Sequence, residues 1–327
     1  MRRSIPVRLL GTAQLTRLAM AVGAIGDVWF TVLFTRGQGQ LYAYQPVAEE
    51  LPLWAALGCS ALVAIGIFTF GASLNDLLDA RYDSAFRPER PIPSGRVKPA
   101  TVGIVIAAAL IAALLGAIPL GTGALILTLI VAAGVLFYNA TGKHVPGLGV
   151  IVIGAMTALH MLIPNYEMTF TLPVWLTMSH AVTITLASYI LLRKRPYLSR
   201  RSFIFIAVAY SLLSIFILVT GWHQGQDTGW WPSESSPFGL IWPVLMVAGF
   251  AWVARKKTSG IPTRSAAEKL ARYGAMWQCL YAAAWLLAIG LYDGALLLMI
   301  LAVIGFSLMT IIKEVGTLAT NPPQYRI

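Results

Sequence analysis

Residues 73 to 83 read Ser-Leu-Asn-Asp-Leu-Leu-Asp-Ala-Arg-Tyr-Asp, which puts Asp76, Asp79 and Asp83 at i, i+3 and i+7. On a continuing helix this spacing predicts three carboxylates projecting from one face, with Asn75 one step round. Like charges gathered on one face repel, so the pattern is tolerated best with a cation among them. An all-oxygen set with few protein carboxylates suits Mg²⁺, which keeps waters and takes its remaining ligands from a substrate phosphate. A solvated helix end carrying surface acids explains the pattern less well. Of the chain's thirteen acids, six fall on this side of the topology set out below, and three of those are packed into eight residues.

Residues 87 to 97 follow as Arg-Pro-Glu-Arg-Pro-Ile-Pro-Ser-Gly-Arg-Val. Prolines at 88, 91 and 93 and Gly95 predict an irregular loop rather than a helix. Arg87, Arg90 and Arg96 offer planar donor forks there. Guanidinium groups beside a Mg²⁺ cluster are what a diphosphate needs, since Arg holds phosphate oxygens bidentately while the metal bridges others. Retention of positive charge on one side of a membrane accounts for some of these arginines, but not for their placement beside the acids.

The elements that position this segment are read from composition. Of 327 residues, 57% are apolar and 11% charged, and the mean hydropathy is +0.73. Such a chain belongs in a bilayer. Nucleic acid is excluded as a partner despite a net charge of +11, because the basic residues lie between apolar segments rather than on one face or arm. Cys59 and Cys279 both sit in apolar stretches, which excludes a disulfide framework, and the absence of zinc-type spacing argues against a structural zinc site. Arg2, Arg3 and Arg8 precede an apolar run like the start of a signal peptide, but apolar segments continue to the far end of the chain, so this start is read as an uncleaved first span.

About 20 apolar residues cross ~30 Å of hydrocarbon. About ten segments approach that length: residues 9 to 35, 53 to 74, 100 to 119, 122 to 138, 148 to 164, 171 to 192, 202 to 221, 238 to 254, 275 to 291 and 294 to 312. Glycines at 121 to 123 and at Asp293-Gly294 fit tight hairpins. The last pair can also be read as one broken span, which leaves nine. With ten spans and the N-terminus inside, 22 of the 24 Lys and Arg residues fall in inside segments; Arg17 lies within the first span and only Arg36 falls outside. The loop at 222 to 237 is aromatic and acidic, with Trp222, Trp230 and Trp231 as interfacial anchors.

The motif of Asn75, Asp76, Asp79 and Asp83, continued by Arg87 to Arg96, resembles the first aspartate-rich motif of the UbiA superfamily of intramembrane prenyltransferases. Tyr138 and Lys143, in Phe-Tyr-Asn-Ala-Thr-Gly-Lys, are similar to that superfamily's Tyr and Lys after the fourth span. The resemblance covers about residues 10 to 220. It implies an all-α, polytopic membrane protein, one domain over 1–327 with nine or ten transmembrane helices around a central cavity. That cavity opens to the cytoplasmic side of the cell inner membrane. It further implies Mg²⁺-dependent binding of an isoprenyl diphosphate, with Asp76, Asp79 and Asp83 on the metal and Asn75, Arg87, Arg90, Arg96, Tyr138 and Lys143 on the substrate. The prenyl chain then passes to a lipophilic or aromatic acceptor that the sequence leaves unidentified.

Members of the family usually carry a second aspartate motif after the sixth span. Here that loop is Leu-Arg-Lys-Arg-Pro-Tyr-Leu-Ser-Arg-Arg from 192 to 201, without a carboxylate. Two readings follow. Arg193, Lys194 and Arg195 neutralise the diphosphate directly, or the chain has lost ionisation chemistry and kept lipid-diphosphate binding in a transport-associated role. A membrane terpene cyclase, which ionises without an acceptor, is a third reading. The stretch from Lys143 to His160 is also similar to a UbiA-like subgroup named EboC, found with transport-linked gene clusters.

Three further polar residues stand in or near the spans. Asp27, costly inside a membrane, is read as facing a cavity. His160 is read as a satisfied packing histidine, with acceptor binding as the sharper alternative. Asp293 is read as a turn residue.

Overall fold

The computed structural model describes residues 20–37, 47–88, 90–225, 230–232 and 235–320, the last nine by backbone alone. Of these, 82% are helical and none lies in a strand. Arg2, Arg3, Arg8, Arg17 and Glu89 lie outside them. The described helices are α1 (Ala21–Gly37), α2 (Val47–Glu50), α3 (Leu53–Leu78), α4 (Ala80–Phe86), α5 (Pro99–Ala117), α6 (Thr122–Ala140), α7 (Leu148–Met161), α8 (Leu172–Leu191), α9 (Arg200–Gln224), α10 (Ile241–Thr258), α11 (Thr263–Ala288) and α12 (Tyr292–Thr320).

All but the short α2 and α4 fall on the ten apolar segments in order. Seven are long and apolar enough to cross a membrane: α3, α5 with its extension to Leu120, α6, α8, α9, the stretch Pro237–Thr258 that includes α10, and Tyr292–Ile311 of α12. Helix α7 is apolar but has only 14 residues, about 21 Å of rise. Helix α11 starts twelve residues before its apolar segment, with Arg264, Glu268, Lys269 and Arg272 along its first half.

Local chemistry sets the helix ends. Pro99 opens α5 and Pro173 lies in the first turn of α8, where a missing N–H leaves no intrahelical bond unmade. Ser199 caps α9 by accepting from the Ser202 amide at 3.2 Å. Gly121, at φ +98°, turns the chain between α5 and α6 in a conformation that L side chains resist. The last hairpin turns earlier than the sequence suggests. Gly290 takes the left-handed position at φ +81°, while Asp293 sits in the first turn of α12, where a carboxylate opposes the helix dipole favourably.

Helices α1, α3, α6, α7, α8 and α11 pack each on the next, and α11 closes back on α1. Helix α5 lies against α3, α9 against α7 and α8, and α10 and α12 against α11. The α3–α5 contact is the most extensive, and small residues allow it: a side chain on Gly66 would begin 2.7 Å from the Ala109 carbonyl oxygen and from the Ala113 amide. His180 ties α8 to α11, its Nε2 3.0 Å from the Gly274 carbonyl and its Nδ1 3.3 Å from the Tyr281 hydroxyl.

The connecting segments gather at two ends of the helical ring. At one end, Arg36 donates to the carbonyls of Ala48, Glu49 and Leu51. There Phe170 packs on Phe34 and stands edge-on to Trp231 and Trp285. At the other end the α4–α5, α6–α7 and α8–α9 connections meet the start of α11, and there the acids lie.

Candidate functional site

The helical ladder runs through the acid motif almost unbroken. The Asp79 amide donates to the Asn75 carbonyl at 2.9 Å, the Asp83 amide to Asp79 at 2.8 Å and the Arg87 amide to Asp83 at 2.7 Å. Asp79 itself is the joint between α3 and α4. At about 100° per residue, Asp76 and Asp83 lie ~20° apart round the axis and Asn75 and Asp79 ~40° apart. The side chains accordingly divide into two neighbouring stripes rather than the single three-carboxylate face that the spacing suggests, and each stripe holds a cation of the protein.

Arg90 serves the first stripe. Its Nη1 lies 3.1 Å from Asp76 Oδ1 and 2.7 Å from Asp83 Oδ2, and the two acids are only 8% and 4% exposed. Turns hold Arg90 in place, with the Ser94 amide on the Arg90 carbonyl and the Val97 amide on that of Pro91. Ile92 and Val97 pin this loop through apolar contact with Leu77, Val102 and Ile106. The prolines thus do what their spacing predicts, and the loop is carried back over the acids. Lys143 serves the second stripe from the one-turn helix Gly142–His144 that follows α6. Its Nζ is 2.6 Å from Asp79 Oδ1 and 3.2 Å from Asn75 Oδ1, and its side chain is 9% exposed.

The remaining predicted residues divide. Lys194 reaches the site. Its side chain is open to the surface yet lines a narrow cleft with Tyr138, Lys143 and Tyr189, and its ammonium lies 5.8 Å from the centre of the Tyr189 ring. Burial among protein atoms lowers its pKa, the Lys143 charge lowers it further, Asp79 opposes and Arg87 adds to the lowering. Arg87 is half-buried. Its pKa is lowered by burial, then by Arg90 and Arg264, against Asp83 and Glu268. Arg96 donates through Nε to Ser94 Oγ at 3.0 Å, within the loop. The Arg193 side chain is exposed and makes no hydrogen bond or ion pair among the described residues, and Arg195 lies over the Tyr197 ring. The basic run therefore brings one ammonium to the acids, not three cations.

These donors can be tested against Mg²⁺. Among the described residues no three acid, histidine or cysteine side chains converge as a closed metal cage. What the chain presents is oxygens in twos, Asp76 with Asp83 and Asn75 with Asp79, each two close enough to share one cationic nitrogen. That fits a hard cation that keeps waters and completes its shell with phosphate oxygens, provided Arg90 or Lys143 yields its place.

Tyr189, Thr185 and the first turn of α7 also line the cleft, and the linear motifs give no sign of them. They arrive by helix packing, and the one local hint is that Tyr189 precedes the basic run. In the apolar interior, Asp27 is buried, and among the described residues its Oδ1 has no hydrogen-bond partner. His160 is buried with Nε2 unpartnered among the described residues, which corrects its reading as a satisfied packing histidine: the helix delivers that nitrogen where no described acceptor or donor stands opposite. Asn165 is fully engaged, donating to Thr35 Oγ1 and accepting from the Glu167 amide. Trp222 is exposed and edge-on to Trp230, as suits an interface, whereas Trp231 packs inward on Phe170.

Fold and site together define a helical intramembrane protein that gathers carboxylates and fixed cations at one end of an apolar ring. Residues 28–195 match the UbiA prenyltransferase family, and the chain belongs to that family. A digeranylgeranylglyceryl phosphate synthase of Methanothrix thermoacetophila is 36% identical over 92 residues, which are 28% of this chain and 34% of that protein. The chain thus matches about a third of the length of this curated relative. A solved structure from work on digeranylgeranylglyceryl phosphate synthase in membranes superposes with a TM-score of 0.51 over 86% of this chain and 98% of that one, at 18% identity, a likeness of fold.

Proposed function

We propose that the chain is an intramembrane prenyltransferase that moves a prenyl group from an isoprenyl diphosphate to a lipophilic or aromatic acceptor. The reading takes the whole chain as one domain of nine or ten spans in the cell inner membrane, with the N-terminus and the diphosphate site on the cytoplasmic side. One observation carries it: carboxylates in twos, each bridged by a displaceable protein cation, stand beside further cations at the mouth of an apolar helical ring. That is the arrangement a metal diphosphate requires, and membership of the family supports it.

Mg²⁺, held by Asp76, Asp79 and Asp83 with Asn75 beside them, would supply charge neutralisation at the diphosphate oxygens. The chain's own residues do the rest. Arg90 and Lys143, once off the carboxylates, turn their donors to the leaving diphosphate together with Arg87 and Lys194, and stabilise the charge that develops as the allylic C–O bond breaks. Arg96 and Tyr138 stand in the flanking loop and the cleft wall. Apolar helix faces keep water from the carbocation until the acceptor attacks.

The test is incubation of the purified protein with Mg²⁺ and labelled prenyl diphosphates, with and without aromatic and lipophilic acceptors. Acceptor-dependent diphosphate release is the expected result. Release without any acceptor would indicate a cyclase. Tight binding without release would indicate a non-catalytic lipid-diphosphate binder, the reading favoured by the carboxylate-free loop at 192–201.

A further inference from the structure

The corner where α10 turns into α11 gathers cations that no carboxylate answers. Lys256 and Lys257 lie in the last turn of α10 and are exposed, and Lys269 and Arg272 stand on the polar first half of α11. Among the described residues none of the four makes an ion pair. The Glu268 carboxylate beside them goes to Arg264 at 3.6 Å, in a half-exposed pair. Arg272 Nε donates only to the Glu268 carbonyl of its own helix, at 3.3 Å. Each of the two α10 lysines lies over an aromatic ring instead. Lys256 Nζ is 5.0 Å from the centre of the Trp252 ring, and Lys257 Nζ is 5.9 Å from that of Tyr273.

Depth in the bilayer decides what these cations can meet. The apolar run from Pro237 through Ala254 rises about 29 Å, against ~30 Å of hydrocarbon. Trp252 therefore stands at the hydrocarbon edge, 64% exposed, on a helix whose buried residues are Pro243 and Phe250. Tyr273 marks the same edge on α11, two residues before that helix's apolar segment begins. One turn further out, ~6 Å, come Lys256 on α10 and Lys269 on α11. That is headgroup depth, since the polar layer adds about 5–8 Å to each side of the hydrocarbon. Below Trp252 the same stripe of α10 continues as Gly249, Leu245 and Ile241, and the last two are exposed. A soluble acidic partner would meet the ammonium groups but not the rings or the apolar stripe. An amphiphile meets both.

We propose that this corner is a binding site for an anionic phospholipid, with the phosphate held by Lys256, Lys257, Lys269 and Arg272 and an acyl chain laid along the Trp252 stripe of α10. The rings hold two long lysine stems at one level, so less side-chain freedom is lost when the phosphate arrives. Contact with a ring face leaves each ammonium donors to spare. Retention of positive charge on one side of a membrane explains why cations are here. It does not explain why they stack on rings at the hydrocarbon edge with no acid among them. The site uses none of the residues assigned to the diphosphate and stands whether or not the chain turns one over.

Native mass spectrometry of the purified full chain in detergent, titrated with phosphatidylglycerol or with phosphatidylcholine, tests this directly. Wild type should bind phosphatidylglycerol the more tightly, by roughly tenfold or more, since each cation near an anionic headgroup contributes about fivefold. The double variant Lys256→Gln, Lys257→Gln should lose roughly ten- to thirtyfold in affinity for phosphatidylglycerol and nothing for phosphatidylcholine. Lys256→Arg with Lys257→Arg should keep the binding, which excludes a folding defect. Arg200→Gln with Arg201→Gln, which removes the same charge at the start of α9, should leave the affinity as it is. Equal affinity of wild type for the two lipids, or no loss in the Lys256, Lys257 double variant, overturns the proposal. An equal loss in the Arg200, Arg201 variant would reduce the effect to overall charge and overturn it as well. Displacement of the bound lipid by deca-glutamate or by inorganic phosphate, at constant ionic strength, would assign the corner to an acidic protein or to free phosphate, again against the proposal.

Discussion

Replacing Arg90 with Gln should make the protein depend on a divalent cation for its stability. Arg90 Nη1 is the group that Asp76 and Asp83 share, at 3.1 and 2.7 Å, and the two carboxylates are 8% and 4% exposed. Removing one partner of a buried ion pair costs about 3–5 kcal/mol. Arg90 is itself 21% exposed, so the lower end applies, roughly 3 kcal/mol with water screening part of the loss. A cation bound in its place at a hundred times its Kd returns about 2.7 kcal/mol, nearly the whole deficit. Thermal denaturation of the purified protein in detergent, with EDTA or with Mg²⁺, reads both effects. In EDTA the variant should melt several degrees below wild type. Mg²⁺ should restore it, and should raise the variant more than wild type because it no longer competes with a guanidinium. Equal Mg²⁺ increments in the two proteins, or no loss in EDTA, would refute the reasoning that cation and Arg90 contend for one place.

Asp79→Ala should abolish the Mg²⁺-dependent part of diphosphate binding with the helical fold kept, as followed by calorimetry with circular dichroism as the fold control. Diphosphate binding should weaken as pH rises, and should begin to do so below the range of an ordinary lysine near 10.5, because the ammonium is the binding form and burial and Lys143 lower the Lys194 pKa. Asp79 opposes that shift and Arg87 deepens it. In Lys194→Arg the alkaline loss should move to higher pH, and the comparison cancels the ionisation of the probe. Gly66→Ala should destabilise by roughly 1–3 kcal/mol, since its methyl would meet α5 backbone at 2.7 Å, whereas Gly58→Ala, with nothing within 4 Å, should gain up to about 1 kcal/mol of helix propensity; melting temperatures decide. Cysteines at Ser84 and Ser199, in a background without Cys59 and Cys279, should resist an impermeant reagent on intact cells, and one at Ser236 should react. Labelling at 84 would overturn the orientation.

Much of this protein is written locally. Apolar runs of bilayer length admit only helices, because no water is present to satisfy an open backbone, so the order of the described helices, and the approximate limits of all but α11, follow from residue type alone. The same holds for the acid motif and for the proline loop that returns Arg90 to it, since both lie within one short stretch whose geometry is fixed by helical pitch and by proline. The positions of charge likewise sort the loops to two ends before any packing is known.

Packing decided the rest. Spacing alone counts Asp76, Asp79 and Asp83 as one face; which acid serves which cation depends on where Lys143 arrives, 64 residues further on, and that is set by the contacts of α3 with α6. Likewise Arg193, Lys194 and Arg195 are alike as residue types, and only the fold of the chain over Tyr189 sends Lys194 into the cleft while Arg195 stacks on Tyr197. The unpartnered Nε2 of His160 was equally out of reach, because whether a buried polar atom finds a partner depends on what a different helix presents opposite it. Sequence carries the period of each helix and the chemistry of each loop. Rotation of one helix against another is a property of side chains meeting across the ring, and it is this rotation that turned a set of acids and bases into a site.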